Sequence, residues 1–166
     1  GDRSGAGFHI PGAFDKVLDI NRCHLQDSIG DRIRLHLKSY GIANSIPFYD
    51  LRAQQGFFRT LMIRVLTTGE IMVVISFGED NQAQIQATLD NLREAFPEIT
   101  SLMYVVNTKA NDTIGDLPVM LHSGREYIIE DMEGLKFRIG PKSFYQTNSR
   151  QAYRLYSVTR EMAGLT

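Results

Sequence analysis

The sequence predicts an α+β fold, or mixed α/β, built from antiparallel hairpins with amphipathic helices packed on the sheet. The main indication is the run FFRTLMIRVLTTGEIMVVISF at residues 57–77, in which a short turn joins two β-rich segments and Gly69 can adopt a positive φ. Segments with apolar residues at helical spacing precede and follow this hairpin. The 166 residues, of which 43% are apolar, suffice for one compact domain or for one domain and a piece of another.

The first part of the chain predicts a strand pair and a helix. Residues 8–20 contain two short extended runs around a Pro-Gly turn. The run DSIGDRIRLHLKSYG follows, with Asp27 or Ser28 as the helix N-cap and Gly41 as the C-terminal stop. The apolar positions that indicate this helix are Ile29, Ile33, Leu37 and Tyr40.

After the hairpin, the sequence predicts a second helix, a buried strand, three short strands and a last helix. NQAQIQATLDNLREAF has apolar residues at i, i+4, i+7 and i+11 from Ile85 and stops before Pro97. SLMYVVN is typical of a buried strand, NTKANDTIGD of a polar loop, and PVMLH, REYIIED and LKFRIG of short strands separated by turns. The last helix extends from about Ser149 to Ala163, with Asn148 as its N-cap.

The charge balance excludes a strong bulk attraction to nucleic acid or to an anionic membrane. The chain carries 18 Lys and Arg against 19 Asp and Glu, for a net charge of -1. It contains no run of about 18 apolar residues and no secretory signal at its start, so we expect no membrane association and a cytoplasmic location. Because residue 1 is Gly and not Met, we also expect a piece of a longer protein.

Several familiar catalytic and metal-binding motifs find no match in the sequence. The glycines near the start follow no strand and do not form G-x-G-x-x-G, and the four histidines share no metal-ligand spacing. The single cysteine, Cys23, is either a small buried hydrophobe or, with weak support from Arg22 and His24, an activated nucleophile. One cysteine cannot form an internal disulfide, which fits a reducing compartment.

The basic residues allow competing interpretations. On the first strand of the hairpin, Arg59 has the parity of the apolar Leu61 and Ile63, whereas Arg64 has the opposite parity. A guanidinium on an apolar face must either form a structural ion pair or point into a cleft, where it can bind phosphate or carboxylate. A second basic group, which an ordinary solvated surface would also explain, surrounds the last strand and helix: Lys136, Arg138, Lys142, Arg150 and Arg154.

Three blocks of sequence occur in an order that a known family shares. They are GFHIPGAFDKVLDINRCHLQ, then GFFRTLMIRVLTTGEIMVVI with the pattern Gly-x-x-Arg-x-x-x-x-Arg, and then SFYQTN leading into the last helix. Together they resemble the RNA uracil-C5 methyltransferases, which use S-adenosylmethionine; SFYQTN is similar to the Phe-x-Gln-x-Asn element that opens their catalytic domain. The resemblance implies formation of 5-methyluridine in rRNA or tRNA, by attack of a cysteine on uracil C6 and methyl transfer to C5.

The resemblance also implies a domain division and a cofactor segment. Residues 1–143 would form a central RNA-contacting α/β domain, and residues 144–166 the opening strand and helix of a truncated S-adenosylmethionine-dependent methyltransferase domain. Phe144, as a packing or stacking group, and Gln146, as a polar contact, would bind the methyl donor or the target base. Asn148 would cap the helix that follows.

The same resemblance assigns RNA and metal contacts. Arg59, Arg64 and Lys142 would contact the RNA backbone. Cys23 matches the fourth ligand of the four-iron four-sulfur cluster that some family members carry, so it would be a metal ligand only in a longer parent that supplies the other three. The family's catalytic cysteine and glutamate find no match here, which implies an inactive fragment; the alternative is a self-contained, non-catalytic α/β binding or scaffold module.

Overall fold

Eight strands and three helices form within residues 5–164, the part of the chain that a computed structural model describes. The strands are β1 (Phe8–Ile10), β2 (Ala13–Leu18), β3 (Phe58–Val65), β4 (Ile71–Phe77), β5 (Ser101–Val106), β6 (Met120–Gly124), β7 (Ile128–Met132) and β8 (Leu135–Ile139). The helices are α1 (Ser28–Ala43), α2 (Gln82–Ala95) and α3 (Ser149–Met162). The predicted α+β class is confirmed, and so is the order of the elements except in the segment before α3.

A four-stranded sheet in the order β3-β4-β5-β6 is the centre of the fold. β3 and β4 form the predicted antiparallel hairpin, with Gly69 at φ +83° in its turn. β5 lies parallel to β4 because α2 carries the chain back across the sheet, and β6 then pairs antiparallel with β5. Two separate antiparallel ribbons, β1-β2 and β7-β8, flank this sheet.

Both faces of the sheet are covered, which explains why every residue of β4 is buried. On one face, Val73 and Ile75 pack with apolar side chains of α1 and α2, including Ile33 and Leu89. On the other face, Met72 and its neighbours pack against the β7-β8 ribbon and the segment that follows it. The side chains of this second face are Leu66, Met72, Val74, Met103, Ile128 and Ile139, with Tyr145 partly buried against them.

The helix boundaries follow side-chain capping, with one correction. Asp27 accepts a hydrogen bond from the Ile29 N–H at 3.0 Å and is the N-cap of α1, as predicted. The predicted stop at Gly41 is wrong, since α1 continues to Ala43. Gly41 is there for packing: a Cβ at this position would lie 3.0 Å from the rings of Phe48 and Phe58.

The segment before α3 departs from the predicted strand. Residues 140–148 form no strand, because none of the described strands runs beside them to supply hydrogen bonds. α3 itself is formed, with Ala152 buried and Tyr156 45% exposed. None of the helices within residues 5–164 has the length and apolar character needed to cross a membrane.

Candidate functional site

The 140–148 segment presents the two predicted cofactor residues to solvent. Tyr145 packs against the second core face, which turns its two neighbours, Phe144 and Gln146, away from the core. The Phe144 ring is 85% exposed. Gln146 is exposed, and none of the described residues hydrogen-bonds its side chain. Burial raises the pKa of the Tyr145 hydroxyl, and the nearby Glu130 carboxylate raises it further.

This segment could form part of a binding site for the methyl donor. An exposed ring and a free amide are suitable for stacking and for hydrogen bonding to a donor or base. However, Phe144 and Gln146 line neither of two cavities in the described part of the chain, one of about 400 Å³ beside α3 and one of about 1070 Å³ between the β1-β2 ribbon and β3. Their cofactor roles therefore stay predictions that require further residues.

The segment ends at the predicted helix cap. The Asn148 Oδ1 accepts a hydrogen bond from the Gln151 N–H at 3.0 Å. This cap fixes the point at which the extended chain turns into α3. It also fixes the separation of Gln146 from the helix.

Arg59 lies inside a dense hydrogen-bond network. Its Nη1 donates to the carbonyl oxygens of Asn107 at 2.7 Å and Lys109 at 2.6 Å, and its Nη2 donates to that of Asn111 at 2.9 Å. Nε pairs with the Asp112 carboxylate at 3.0 Å, and the Arg59 side chain is 1% exposed. The structural ion pair, one of the two interpretations open from the sequence, is thus present; a contact with RNA stays a prediction.

The predicted parity of Arg59 is wrong because β3 contains a bulge. Phe58 pairs with Phe77 and Thr60 pairs with Ser76, so Arg59 is an extra residue on β3. Phe58, and not Arg59, lies on the face of the sheet that packs against α1 and α2. The other β3 side chains on that face are Leu61, Ile63 and Val65. The bulge turns Arg59 toward the connection between β5 and β6. The alternation of residue types along β3 gives no indication of this bulge.

Lys142 holds the same connection at its other end. Its Nζ donates to the carbonyl oxygens of Gly115 at 2.9 Å and Leu117 at 2.7 Å. Arg59 and Lys142 therefore bind five carbonyl groups of residues 107–117, which we call the β5-β6 loop. The role of Lys142 at an RNA backbone stays a prediction, and the structure adds this intramolecular one.

Arg64, the third predicted RNA contact, lies on the second face of the sheet opposite Met72. Its Nη1 is buried and has no hydrogen-bond partner in the described structure. Burial lowers the pKa of the Arg64 guanidinium. The structure thus separates Arg64 from Arg59 and Lys142, which both contact the β5-β6 loop.

Cys23 is a free, partly exposed thiol whose backbone is fixed by a buried ion pair. The Cys23 N–H donates to both oxygens of Asp31, at 3.0 and 3.2 Å, and Arg34 Nη2 pairs with Asp31 at 2.9 Å. Burial alone would raise the pKa of the Asp31 carboxyl, but the bonds from Arg34, Cys23 and Gln26 hold that pKa below its usual value. Sequence reasoning did not predict this pair, although a charged residue beside the apolar Ile33 of α1 indicates the need for a partner.

The residues present do not fit an iron–sulfur cluster by themselves. No three or more His, Cys, Asp or Glu side chains come together as a metal site within residues 5–164. A cluster needs several thiolates, and Cys23 is the single cysteine of the sequence. No chemical step is assigned to such a cluster.

The basic residues around α3 lie in different settings. The Arg138 guanidinium stacks 3.8 Å from the centre of the Tyr127 ring. Arg150 and Arg154 are exposed and line the cavity of about 400 Å³. They share that cavity with acidic residues of β7, so its charge is mixed.

Comparison with known proteins identifies the relatives of this chain. No family model matches it. It is 61% identical over 166 residues to a Porphyromonas gingivalis protein and 51% identical over 166 residues to a Bacteroides thetaiotaomicron protein, both named uncharacterized RNA methyltransferases. The chain is homologous to a segment of these RNA methyltransferases. The match covers 99% and 98% of this chain but 36% and 37% of those proteins, so the chain spans about a third of their length.

A solved methyltransferase has the same fold in the matching region. The crystal structure of a Pyrococcus abyssi tRNA (uracil-54, C5)-methyltransferase in complex with S-adenosyl-L-homocysteine superposes with a TM-score of 0.74 at 26% identity. The superposition covers 96% of this chain and 38% of that one. The resemblance that the three sequence blocks carried is confirmed.

Proposed function

We propose that the protein containing this chain is an S-adenosylmethionine-dependent RNA methyltransferase that methylates C5 of a uridine in rRNA or tRNA. The observation that supports this most strongly is the 61% identity, across 99% of the chain, to a protein named as an RNA methyltransferase. The structural neighbour supports uracil C5 as the target and S-adenosylmethionine as the donor, because it is a tRNA (uracil-54, C5)-methyltransferase in complex with the demethylated donor, S-adenosyl-L-homocysteine. A non-catalytic scaffold module has no comparable support.

In this proposal the 140–148 segment is the chain's contribution to the reaction centre. Phe144 supplies an apolar ring for stacking, and Gln146 supplies an amide that can both donate to and accept from a base or donor. Both are exposed on the side away from the core, which leaves them accessible to a ligand. Asn148 keeps them at the start of α3.

S-adenosylmethionine would supply the methyl group, and C5 of uracil would lose its hydrogen as a proton. The nucleophile that adds to C6 and the base that removes the C5 proton are not assigned to residues of this chain. The described residues bring no such pair to Phe144 or Gln146, so we propose that the 166-residue chain alone does not catalyse methyl transfer. RNA contact and the positioning of the target are what it contributes.

Release of tritium from RNA labelled at uracil C5 tests the proposal. The full-length protein with S-adenosylmethionine should release tritium from rRNA or tRNA, and Gln146→Ala should reduce the rate at least about tenfold. Gln151→Ala is the matched control, since it removes the same amide from an exposed site on α3 and should leave the rate unchanged. No release by the wild-type protein from any cellular RNA would overturn the function, and equal rates for both variants would remove Gln146 from the site.

A further inference from the structure

The β5-β6 loop has an unusual source of order. It contains no helix or strand, yet Arg59 and Lys142 donate hydrogen bonds to five of its carbonyl groups. Inside the loop, the buried Asn107 side chain donates to the Asn111 carbonyl at 2.9 Å and accepts from the Lys109 N–H at 3.1 Å. The loop is therefore held in one conformation by side chains beneath it.

Arg59 has little capacity left for a phosphate. Four of its five N–H donors, on three nitrogen atoms, are used by the loop carbonyls and by Asp112. The Tyr49 ring covers the guanidinium at 4.4 Å from its centre. A phosphate would have to replace several of these partners to reach a side chain that is 1% exposed.

The outer side of the loop is accessible and polar. Thr108, Asn111 and Thr113 are exposed, as are the carboxylates of Asp112 and Asp116, whose side chains are 52% and 66% exposed. The loop starts at the carboxyl end of β5, which lies parallel to β4. Ordered irregular loops at the carboxyl ends of parallel strands are frequent ligand-binding positions.

We propose that Arg59 is a positioning residue for RNA: it shapes the β5-β6 loop, which contacts the RNA, and it does not contact phosphate itself. The proposal rests on the proposed function, because it requires the full-length protein to bind RNA. It assigns to Arg59 a role that depends on the guanidinium fork, which can serve three carbonyl groups at once. Two nitrogens of Arg59 serve these three carbonyl groups, whereas a lysine ammonium would offer a single nitrogen.

Salt titration of RNA binding by the full-length protein tests how Arg59 acts. A side chain that contacts one phosphate contributes about 0.7 to 0.9 to the slope of log K against log salt concentration. We expect Arg59→Gln to weaken binding about tenfold or more without changing the slope, and Arg59→Lys to fail to restore the affinity. A shallower slope for Arg59→Gln, with near wild-type affinity for Arg59→Lys, would overturn the proposal in favour of a phosphate contact.

Asp112→Asn provides a test that leaves Arg59 in place, should the Arg59 variants fail to fold. Asp116→Asn is its matched control, because it removes the same charge from the same loop while its partner is Lys109. We expect equal affinities and slopes for the two variants. Arg59 keeps its three carbonyl partners in this variant. A tighter complex and a steeper slope for Asp112→Asn alone would therefore mean that the guanidinium lies within reach of phosphate while it holds the loop, and would overturn the proposal.

The loop surface itself is tested by Thr108→Glu, which adds a negative charge at an exposed position. We expect this variant to lose about tenfold or more in RNA affinity through repulsion of phosphates. Ala87→Glu, which adds the same charge on the exposed side of α2, should have much less effect. Equal affinities for the two variants would overturn the loop contact, whereas absence of RNA binding by the wild-type protein would overturn the proposed function as well.

Discussion

Replacing Arg59 by Met should destabilise the chain by about 3 kcal/mol. Met keeps an apolar stem at this buried position but removes every hydrogen-bond donor. The carbonyls of Asn107 and Lys109 are partly buried and would lose their partner, which costs about 1–3 kcal/mol each. Loss of the stacking on Tyr49 adds about 1 kcal/mol, whereas the half-exposed Asp112 can turn to water at little cost. These losses add up to about 3–7 kcal/mol. The loop can relax so that its carbonyl groups reach water, and we therefore expect a value near the lower end.

Urea unfolding of the 166-residue chain would measure the loss, with Arg93→Met as the matched control. Arg93 pairs with Asp90 on the surface of α2, where both side chains are exposed to solvent, and its removal should cost about 0.5 kcal/mol or less. Hydrogen exchange should accelerate at the N–H groups of Lys109 and Thr113 while β4 stays protected. A change in stability as small as that of the control would refute the view that the guanidinium orders the loop.

Two further perturbations follow from close contacts and burial. Gly78→Ala should cost more than about 2 kcal/mol in urea unfolding, because its Cβ would lie 2.3 Å from a backbone oxygen, whereas Gly115→Ala, which has nothing within 4 Å, should be nearly neutral. His122 is 5% exposed, and burial lowers its pKa, opposed by Asp90 at 3.3 Å and reinforced by Arg93. Its contribution to stability is therefore complete above the unfolded pKa of about 6.5 and is lost as pH falls through the folded value. Unfolding measured between pH 7 and 5 should depend less on pH in His122→Gln; an unchanged dependence would contradict the assignment.

The elements of the fold were predictable because the sequence patterns are local. Alternation and a short glycine turn indicate the β3-β4 hairpin, and helical spacing with Asp27 and Asn148 as caps indicates α1 and α3. Gly41 shows the limit of this approach. A glycine near a helix end is typical of a stop, but here it is required by the rings of Phe48 and Phe58, which lie beyond the end of α1 and pack back against it.

The candidate site was less predictable because its contacts are non-local. Residue types identified Arg59 as a side chain that needs a partner, yet the bulge that directs it and the loop carbonyls that bind it lie more than forty residues apart in sequence. The exposed pair Phe144 and Gln146 came from a resemblance to a family, since an aromatic and an amide two residues apart have no specific meaning by themselves. The expected strand there needs a neighbour that is not among the described strands.

The pairing of basic side chains with acids within the chain limits the ways in which the chain could bind RNA. Several basic side chains of the described structure are paired with acids close by, as Lys109 is with Asp116 and Arg59 with Asp112. Together with the net charge of -1, this pairing leaves a weak field to attract phosphate. Contact through the shape of the β5-β6 loop does not need such a field, whereas contact through free guanidinium groups does. Substitutions of the two loop acids therefore separate these modes more clearly than loss of an arginine, which would remove the charge and the loop's shape together.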